Sequence, residues 1–377
     1  MKAIINGKII LENKIVRNKT LVFDNTILGI ENTPPPFSQI IDAKGMYITP
    51  GLIDIHIHGC HGADTMDSTQ TALKTISRGA AKYGVTSILP TTITYDWETT
   101  QKALENIGSN IGKVENGASI LGAHLEGPFI NSEYAGAQPK EHIIPPNFEL
   151  IKEYKEIIKL MTYAPELDLD HTFTKQVLSQ TDITMSMGHT GASYYDASEA
   201  FINGVTNATH TFNAMRALNH REPGALGAAL TLPFYCELIA DNIHVSPHLY
   251  EFMLKTKGDD KLILITDSIS GGGMGDGTFT LGGQTVTVDN GTARLAGGSL
   301  AGSVLTLNMA LKNFKEHTDI PLPSLLKLTC SNPAKSIGIY NKKGSLAINK
   351  DADIAIFNES FECEMTICEG DIVYTVY

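Results

Sequence analysis

The chain has 377 residues, 42% of them hydrophobic and 19% charged, with a formal net charge of -12 at pH 7. That is enough apolar material for one large α/β core plus a small appendage, and it argues against disorder. The acidic surplus excludes nucleic acid or an anionic membrane as the main partner, since both need a basic field, although one or two local cations suffice for a small anion.

Five cysteines (Cys60, Cys236, Cys330, Cys363 and Cys368) are scattered, odd in number and without a Cys-x-x-Cys pair. They read as buried, reduced thiols in a cytoplasm. The opening residues, Met1 to Lys8, alternate apolar with polar and lack the apolar segment and cleavage site of a signal peptide. No apolar run approaches the ~18 residues of a membrane span. A soluble, cytoplasmic protein is expected.

From residue 2 to about 49 the chain offers short strand-like runs (Lys2 to Ile5, Lys8 to Leu11, Thr20 to Phe23, Ile27 to Ile30, Met46 to Ile48) separated by Asn, Gly and Pro34-Pro35-Pro36. The C-terminus returns to this chemistry in Asp353 to Phe357 and Asp371 to Tyr377. The two ends are expected to pair into one small β-sandwich-like domain, residues 1-52 with 345-377.

Between them, strand candidates end near His58, Thr92, Glu126, Ala164, His189, His210, His244 and Asp267, about 30 residues apart, the size of a βα unit. Helices fit the gaps: Ser68 to Tyr83 ends before Gly84, and Phe148 to Lys159 carries spaced Leu and Ile. The expected fold is a (β/α)8 TIM barrel over residues 53-344. An open doubly wound sheet would need Gly-rich phosphate-binding turns near its first strand, and none is there.

The stretch Gly51-Leu52-Ile53-Asp54-Ile55-His56-Ile57-His58-Gly59 is an apolar run closing on two histidines that share a strand face. Later strand ends supply Glu126, His189, His210 and Asp267. Barrel folds place their chemistry at this rim, and imidazole mixed with carboxylate suits zinc, iron or another first-row divalent ion. Each residue alone has an ordinary use: a hydrogen-bonded histidine, an Asp267 that caps a turn, a Glu126 solvated before Gly-Pro. Independent structural uses would not all fall at the strand ends of one repeating unit.

His124-Leu125-Glu126-Gly127-Pro128-Phe129 and Thr209-His210-Thr211-Phe212-Asn213-Ala214-Met215, with Pro50-Gly51-Leu52-Ile53-Asp54, Arg221-Glu222-Pro223-Gly224, Ala240-Asp241-Asn242-Ile243-His244 and Gly298-Ser299-Leu300-Ala301-Gly302-Ser303, carry a resemblance that runs nearly end to end. The chain resembles the amidohydrolase superfamily, and within it the family of N-acetylglucosamine-6-phosphate deacetylases. The resemblance implies metal-dependent hydrolysis of the acetamide of an N-acetylated amino-sugar 6-phosphate, in amino-sugar catabolism and cell-wall sugar recycling. It implies one or two divalent ions per subunit, the principal one on Glu126, His189 and His210, with Asp267 as acid/base. His56 and His58, replaced in members with a single metal, are retained here, which leaves both one ion and a second ion sharing Glu126 open.

Substrate contacts implied by the resemblance are Ala137, Gln138, Asn213, Ala214, Arg221, Asp241, Asn242, Ile243, His244, Leu300, Ala301 and Gly302. It further implies a homodimer in which Arg221 and His244 reach phosphate across subunits. Gln138 stands where other members carry histidine, and an amide can donate a hydrogen bond but cannot take up charge. Alternatives are the galactosamine epimer as substrate, a cyclic-amide or deaminating hydrolase, and a non-catalytic scaffold. Gly271 to Gly277 reads as a lid loop, not a nucleotide cradle, and His124 as a residue packed inside the fold.

Overall fold

The computed structural model describes residues 1-376. Eight strands run parallel: β1 (Leu52–Ile57), β2 (Val85–Pro90), β3 (Ala123–Glu126), β4 (Ile158–Tyr163), β5 (Thr184–Met187), β6 (Asn207–Ala208), β7 (Tyr235–Ile239) and β8 (Leu262–Ile265). β3 to β8 form one continuous sheet in chain order, and β1 pairs with β2 in another. Two isolated parallel bridges, Ile57 with Ser268 and Thr91 with His124, link the edges of the two sheets. Register keeps the strand ends level, with Glu126 opposite Thr162, Tyr163 opposite Met187, Met187 opposite Ala208 and Ile239 opposite Ile265. Residues just past those ends therefore meet at one edge.

The strands read as apolar runs because helices cover their outer faces. The helix Gln70–Ala81 is capped by Thr69, whose side chain accepts from the Ala72 N–H, and buries Leu73 and Ile76. Ser68, the sequence candidate for its start, closes the preceding turn in a left-handed conformation. Past the helix, Gly84 has φ +85°, and a Cβ there would lie 2.2 Å from the Phe357 ring. Only glycine serves that turn and that contact.

The expected helix from Phe148 to Lys159 is shorter. It spans Phe148–Ile151 and a 3-10 turn Lys152–Tyr154, because Ile158 is taken up by β4, paired with Ala123 of β3. The strand expected to reach His244 ends at Ile239. There Asp241 accepts from the N–H groups of Ile243 and His244 and turns the chain.

Both chain ends contribute to a six-stranded sheet in the order Asp371–Thr375, Cys363–Cys368, Ile354–Phe357, Tyr47–Pro50, Lys8–Leu11, Lys14–Val16. A four-stranded sheet, Ile27–Glu31, Thr20–Phe23, Lys2–Ile5 and Gln39–Asp42, shares with it a core of Ile4, Ile9, Phe23, Ile48, Ile354 and Ile367. Tyr377 lies outside the described residues. The glycine run at 271-277 leads into a three-stranded antiparallel sheet, Gly277–Leu281, Gln284–Asp289 and Thr292–Leu295, which packs through Leu281, Val286 and Val288 on Ile93 and Ile269. No helix among the described residues is long and apolar enough to cross a membrane.

Candidate metal centre and active site

Six side chains converge where the strands end. His56 is the penultimate residue of β1, with His58 one step beyond it, and Glu126 is the last residue of β3. His189, His210 and Asp267 each lie two residues past a strand, with φ of 48°, 28° and 48°. A non-glycine residue in that region costs about 1–3 kcal/mol, a strain that clusters at functional sites. Here it turns each side chain inward immediately after its strand stops.

Glu126 is the hub. Its Oε1 lies 3.2 Å from His189 Nε2, 3.1 Å from His210 Nε2 and 3.4 Å from His56 Nε2, and its Oε2 lies 3.2 Å from His58 Nε2. Asp267 Oδ1 stands 3.4 Å from His56 Nε2 and 3.2 Å from His58 Nε2. Two groups have ligand geometry, His56, His58 and Glu126 in one and Glu126, His189 and His210 in the other.

The outer ring nitrogens decide which lone pairs face inward. His56 Nδ1 meets Glu237 Oε2 at 3.2 Å, His58 Nδ1 meets the Thr91 carbonyl at 3.2 Å, and His189 Nδ1 meets the Tyr134 carbonyl at 2.9 Å. Each Nδ1–H donates to an acceptor, which leaves the Nε2 lone pair directed at the carboxylates, the tautomer a metal requires. The Nε2 atoms of His189 and His210 are only 3.0 Å apart, and His56 Nε2 has no hydrogen-bond partner. Lone pairs crowded against carboxylate oxygens are relieved by a shared cation, so the donor set fits a divalent ion.

Without one, protons serve. Burial pushes the His56 imidazole down, but Asp267, Glu126 and Glu237 outweigh it and raise its pKa to about 9; Asp267 and Glu126 likewise raise His58 to about 10. Burial raises Asp267, yet His56 and His58 bring it down to about 2. Glu126 is held well below the carboxylate range, the imidazoles overcoming its burial. His124, beneath, donates to none of these carboxylates. It contacts Thr162 at 2.8 Å, and burial and the neighbouring His56 keep it neutral.

Above the cluster opens a cavity of about 260 Å3. Ala137, Gln138, Asn213, Ala214, His244, Leu300 and Gly302 lie on its wall with His58, Glu126, His189, His210 and Asp267. Gln138 is committed on both sides, accepting from Thr94 N at 2.6 Å and donating to Glu126 Oε2 at 2.7 Å. Asp241 Oδ2 accepts from His244 Nδ1 at 2.7 Å, and this contact outweighs burial to raise the His244 pKa. Gly302, at φ +55°, lets its loop pass over the Asp267 carbonyl, which a Cβ would approach to 2.8 Å.

Other candidates lie off the wall. Ala301 is buried in the small apolar cluster and its N–H donates to the Ala293 carbonyl. Ile243 is exposed, and Asn242 is held by Tyr250. Arg221 is exposed and contacts His220 at 3.0 Å, while Glu222 accepts from the Tyr194 N–H. His244 thus lines its own chain's cavity, whereas Arg221, the other residue expected to cross between subunits, is not among the residues on that wall. Sequence reasoning missed Glu237 and also Asp54, which accepts from Thr266 Oγ1 at 2.6 Å and ties β1 to the Asp267 turn; its burial raises its pKa to about 6. The signal for both was a carboxylate inside an apolar strand.

The profile of the amidohydrolase family matches residues 47–373 of the chain. N-acetylglucosamine-6-phosphate deacetylase of Bacillus subtilis is 41% identical over 378 residues, covering 97% of this chain and 95% of that one. N-acetylgalactosamine-6-phosphate deacetylase of Escherichia coli O157:H7 is 32% identical, covering 93% of each. The crystal structure of N-acetylglucosamine-6-phosphate deacetylase from Pasteurella multocida superposes with a TM-score of 0.93 at 30% identity, covering 98% of this chain and 99% of that one. On a family match that spans nearly its whole length, and relatives alike from end to end, the chain belongs to the amidohydrolase family and is a hydrolase.

Proposed function

We propose that this enzyme hydrolyses the acetamide of N-acetyl-D-glucosamine 6-phosphate to D-glucosamine 6-phosphate and acetate. The observation that carries the reading is the buried set of four imidazoles and two carboxylates at the floor of a cavity with room for one small ligand. Glu126, His189 and His210 would hold the principal divalent ion, zinc, iron or another first-row metal, and His56 and His58 a second one sharing Glu126. A bound ion of this class brings the pKa of a coordinated water to about 7 and polarises an amide carbonyl.

Asp267 is the acid/base. Ionised and aimed into the cavity, it takes the proton of the attacking water and returns it to nitrogen as the C–N bond breaks, since an amine leaves only when protonated. The apolar wall of Ile93, Leu281 and Leu300 shields that exchange from bulk water. His244, backed by Asp241, holds the phosphate, with Arg221 reaching it from the second subunit of a homodimer. Asn213, Ala214, Ala137 and Gln138 line the side where the sugar ring and acetyl group would lie.

We infer further that the edge bridges complete a (β/α)8 barrel over residues 53-344, and that 1-52 with 345-377 form a small β-sandwich-like domain. The two terminal sheets sharing one apolar core support that division. Five cysteines, all buried and unpaired, favour a cytoplasmic setting.

The test is amine release by metal-loaded protein from N-acetylglucosamine 6-phosphate, with N-acetylglucosamine and N-acetylgalactosamine 6-phosphate alongside. Preference for the first compound is expected. Preference for the epimer keeps the mechanism and changes the substrate; no release from any of the three overturns the reading.

A further inference from the structure

Glu237 has no part in that chemistry, yet it is fully buried in the middle of β7. Strand alternation sends Cys236 outward, where its Sγ lies 3.4 Å from the Ala229 carbonyl of the helix Gly224–Thr231, and Glu237 inward. Among the described residues its one ion-pair partner is His56, Oε2 to Nδ1 at 3.2 Å, and its Oε1 has no hydrogen-bond partner. Taking a carboxylate out of water costs several kcal/mol unless positive charge meets it. His56 is the one group that meets it, so that charge has to reach Glu237 through the imidazole ring, a requirement that an apolar side chain in its place would not impose.

The compensating charge belongs on the far side of the ring. His56 Nε2 lies 3.4 Å from both Glu126 Oε1 and Asp267 Oδ1 and makes no hydrogen bond of its own. Among the described residues the other ligand group has no counterpart to Glu237. His189 Nδ1 donates to a neutral carbonyl, and His210 Nδ1 has no partner. Negative charge is thus placed behind one of the two groups only.

We infer that Glu237 is the positioning residue of a second cation site formed by His56, His58 and Glu126. By accepting from His56 Nδ1 it fixes the tautomer and orientation that present Nε2, and its charge favours a divalent ion there over an empty pair of imidazoles. The inference rests on the metal-dependent reading above, though not on the identity of the substrate.

Wild type, Glu237→Gln and Glu237→Leu are stripped of metal and titrated with Co2+. Bound cobalt per chain is counted by elemental analysis, its visible absorption is followed, and dissociation constants are taken by competition with a chromogenic chelator. Two ions per wild-type chain are expected. Glu237→Gln can still accept from Nδ1 but has lost the charge, so the second ion should weaken by about 10- to 100-fold while the first stays as in wild type. Glu237→Leu should lose the second ion and its absorption component.

A wild type that takes one ion, variants that bind two as wild type does, or both ions weakening together each overturn the inference. Circular-dichroism melts accompany every protein, and the near-isosteric Gln form carries the test if the Leu form does not fold. Turnover of the sugar phosphate by the same wild-type sample is read separately. Two-ion protein without turnover keeps Glu237's role and sinks the substrate, whereas turnover by one-ion protein does the reverse.

Discussion

Beside the terminal sheet, Lys343 gathers Asp353, Asp351 and Glu369 at 2.9, 3.0 and 3.3 Å, and Ser119 Oγ ties Glu369 to the strand beside β2. At the strand ends Glu126 and Asp267, with Glu237 from within β7, are gathered just as tightly, but every ion-pair partner they have among the described residues is a histidine. In the first cluster the chain carries its own cation. Burial opposes charge on Lys343, yet its three carboxylates keep it an ammonium far into the alkaline range. In the second the imidazoles turn their outer nitrogens to fixed acceptors and leave the inner ones for something from outside. Buried carboxylates need a positive charge in either case, and its absence from the sequence of one cluster is what marks that cluster as a cation site.

The comparison breaks most severely at Asp267. Asp267→Asn keeps the shape of the site and removes its proton carrier, so kcat should fall about 100- to 10,000-fold with the principal ion still bound. Turnover near that of wild type, with metal content unchanged by elemental analysis, would remove Asp267 from the acid/base role. The matching change in the other cluster is Lys343→Met, which strands three carboxylates without their cation. A loss of about 3–5 kcal/mol in denaturant unfolding is expected, with metal content per folded chain unaltered. A variant as stable as wild type would show that Lys343 does not neutralise that cluster in solution.

A residue's role was legible in the sequence to the extent that its signal is local. His56, His58, Glu126, His189, His210 and Asp267 stand at or just past runs such as Leu-Ile-Asp-Ile and Leu-Ile-Leu-Ile, and parallel strands in level register must bring such positions together. Glu237 stands out in sequence only as a carboxylate inside an apolar strand; its role was illegible because its partner, His56, is 181 residues away. The segment Phe148 to Lys159 misleads because Ile157 and Ile158 satisfy a helical spacing and a strand equally well, and pairing with β3 decides. The glycines at 271-277 draw attention away from the antiparallel hairpins that begin at Gly277. Gly282-Gly283 and Asn290-Gly291 sit between alternating Thr and Val, the turn chemistry of the hairpins that supply Leu281 to the cavity wall.

A gentler change sharpens the same contrast on the phosphate side, where the cation is a histidine made basic by one neighbour. Burial lowers the His244 pKa and Asp241 more than restores it, so the net shift is upward. A raised pKa means that the imidazolium is fully present below the ordinary histidine range and is lost only as pH climbs through the raised value. Above pH 7 the phosphate is essentially dianionic, so the pH dependence of KM there reports the protein. KM for the sugar phosphate should rise with pH in wild type. In Asp241→Asn, which leaves burial unopposed, the rise should begin at lower pH, while KM for the unphosphorylated sugar stays flat in both proteins. The difference between a charged and a neutral donor is about 1 kcal/mol, close to fivefold in KM. Superimposable profiles for the two proteins would mean that His244 is neutral when it meets the ligand, and the phosphate would then depend on Arg221 for its charge.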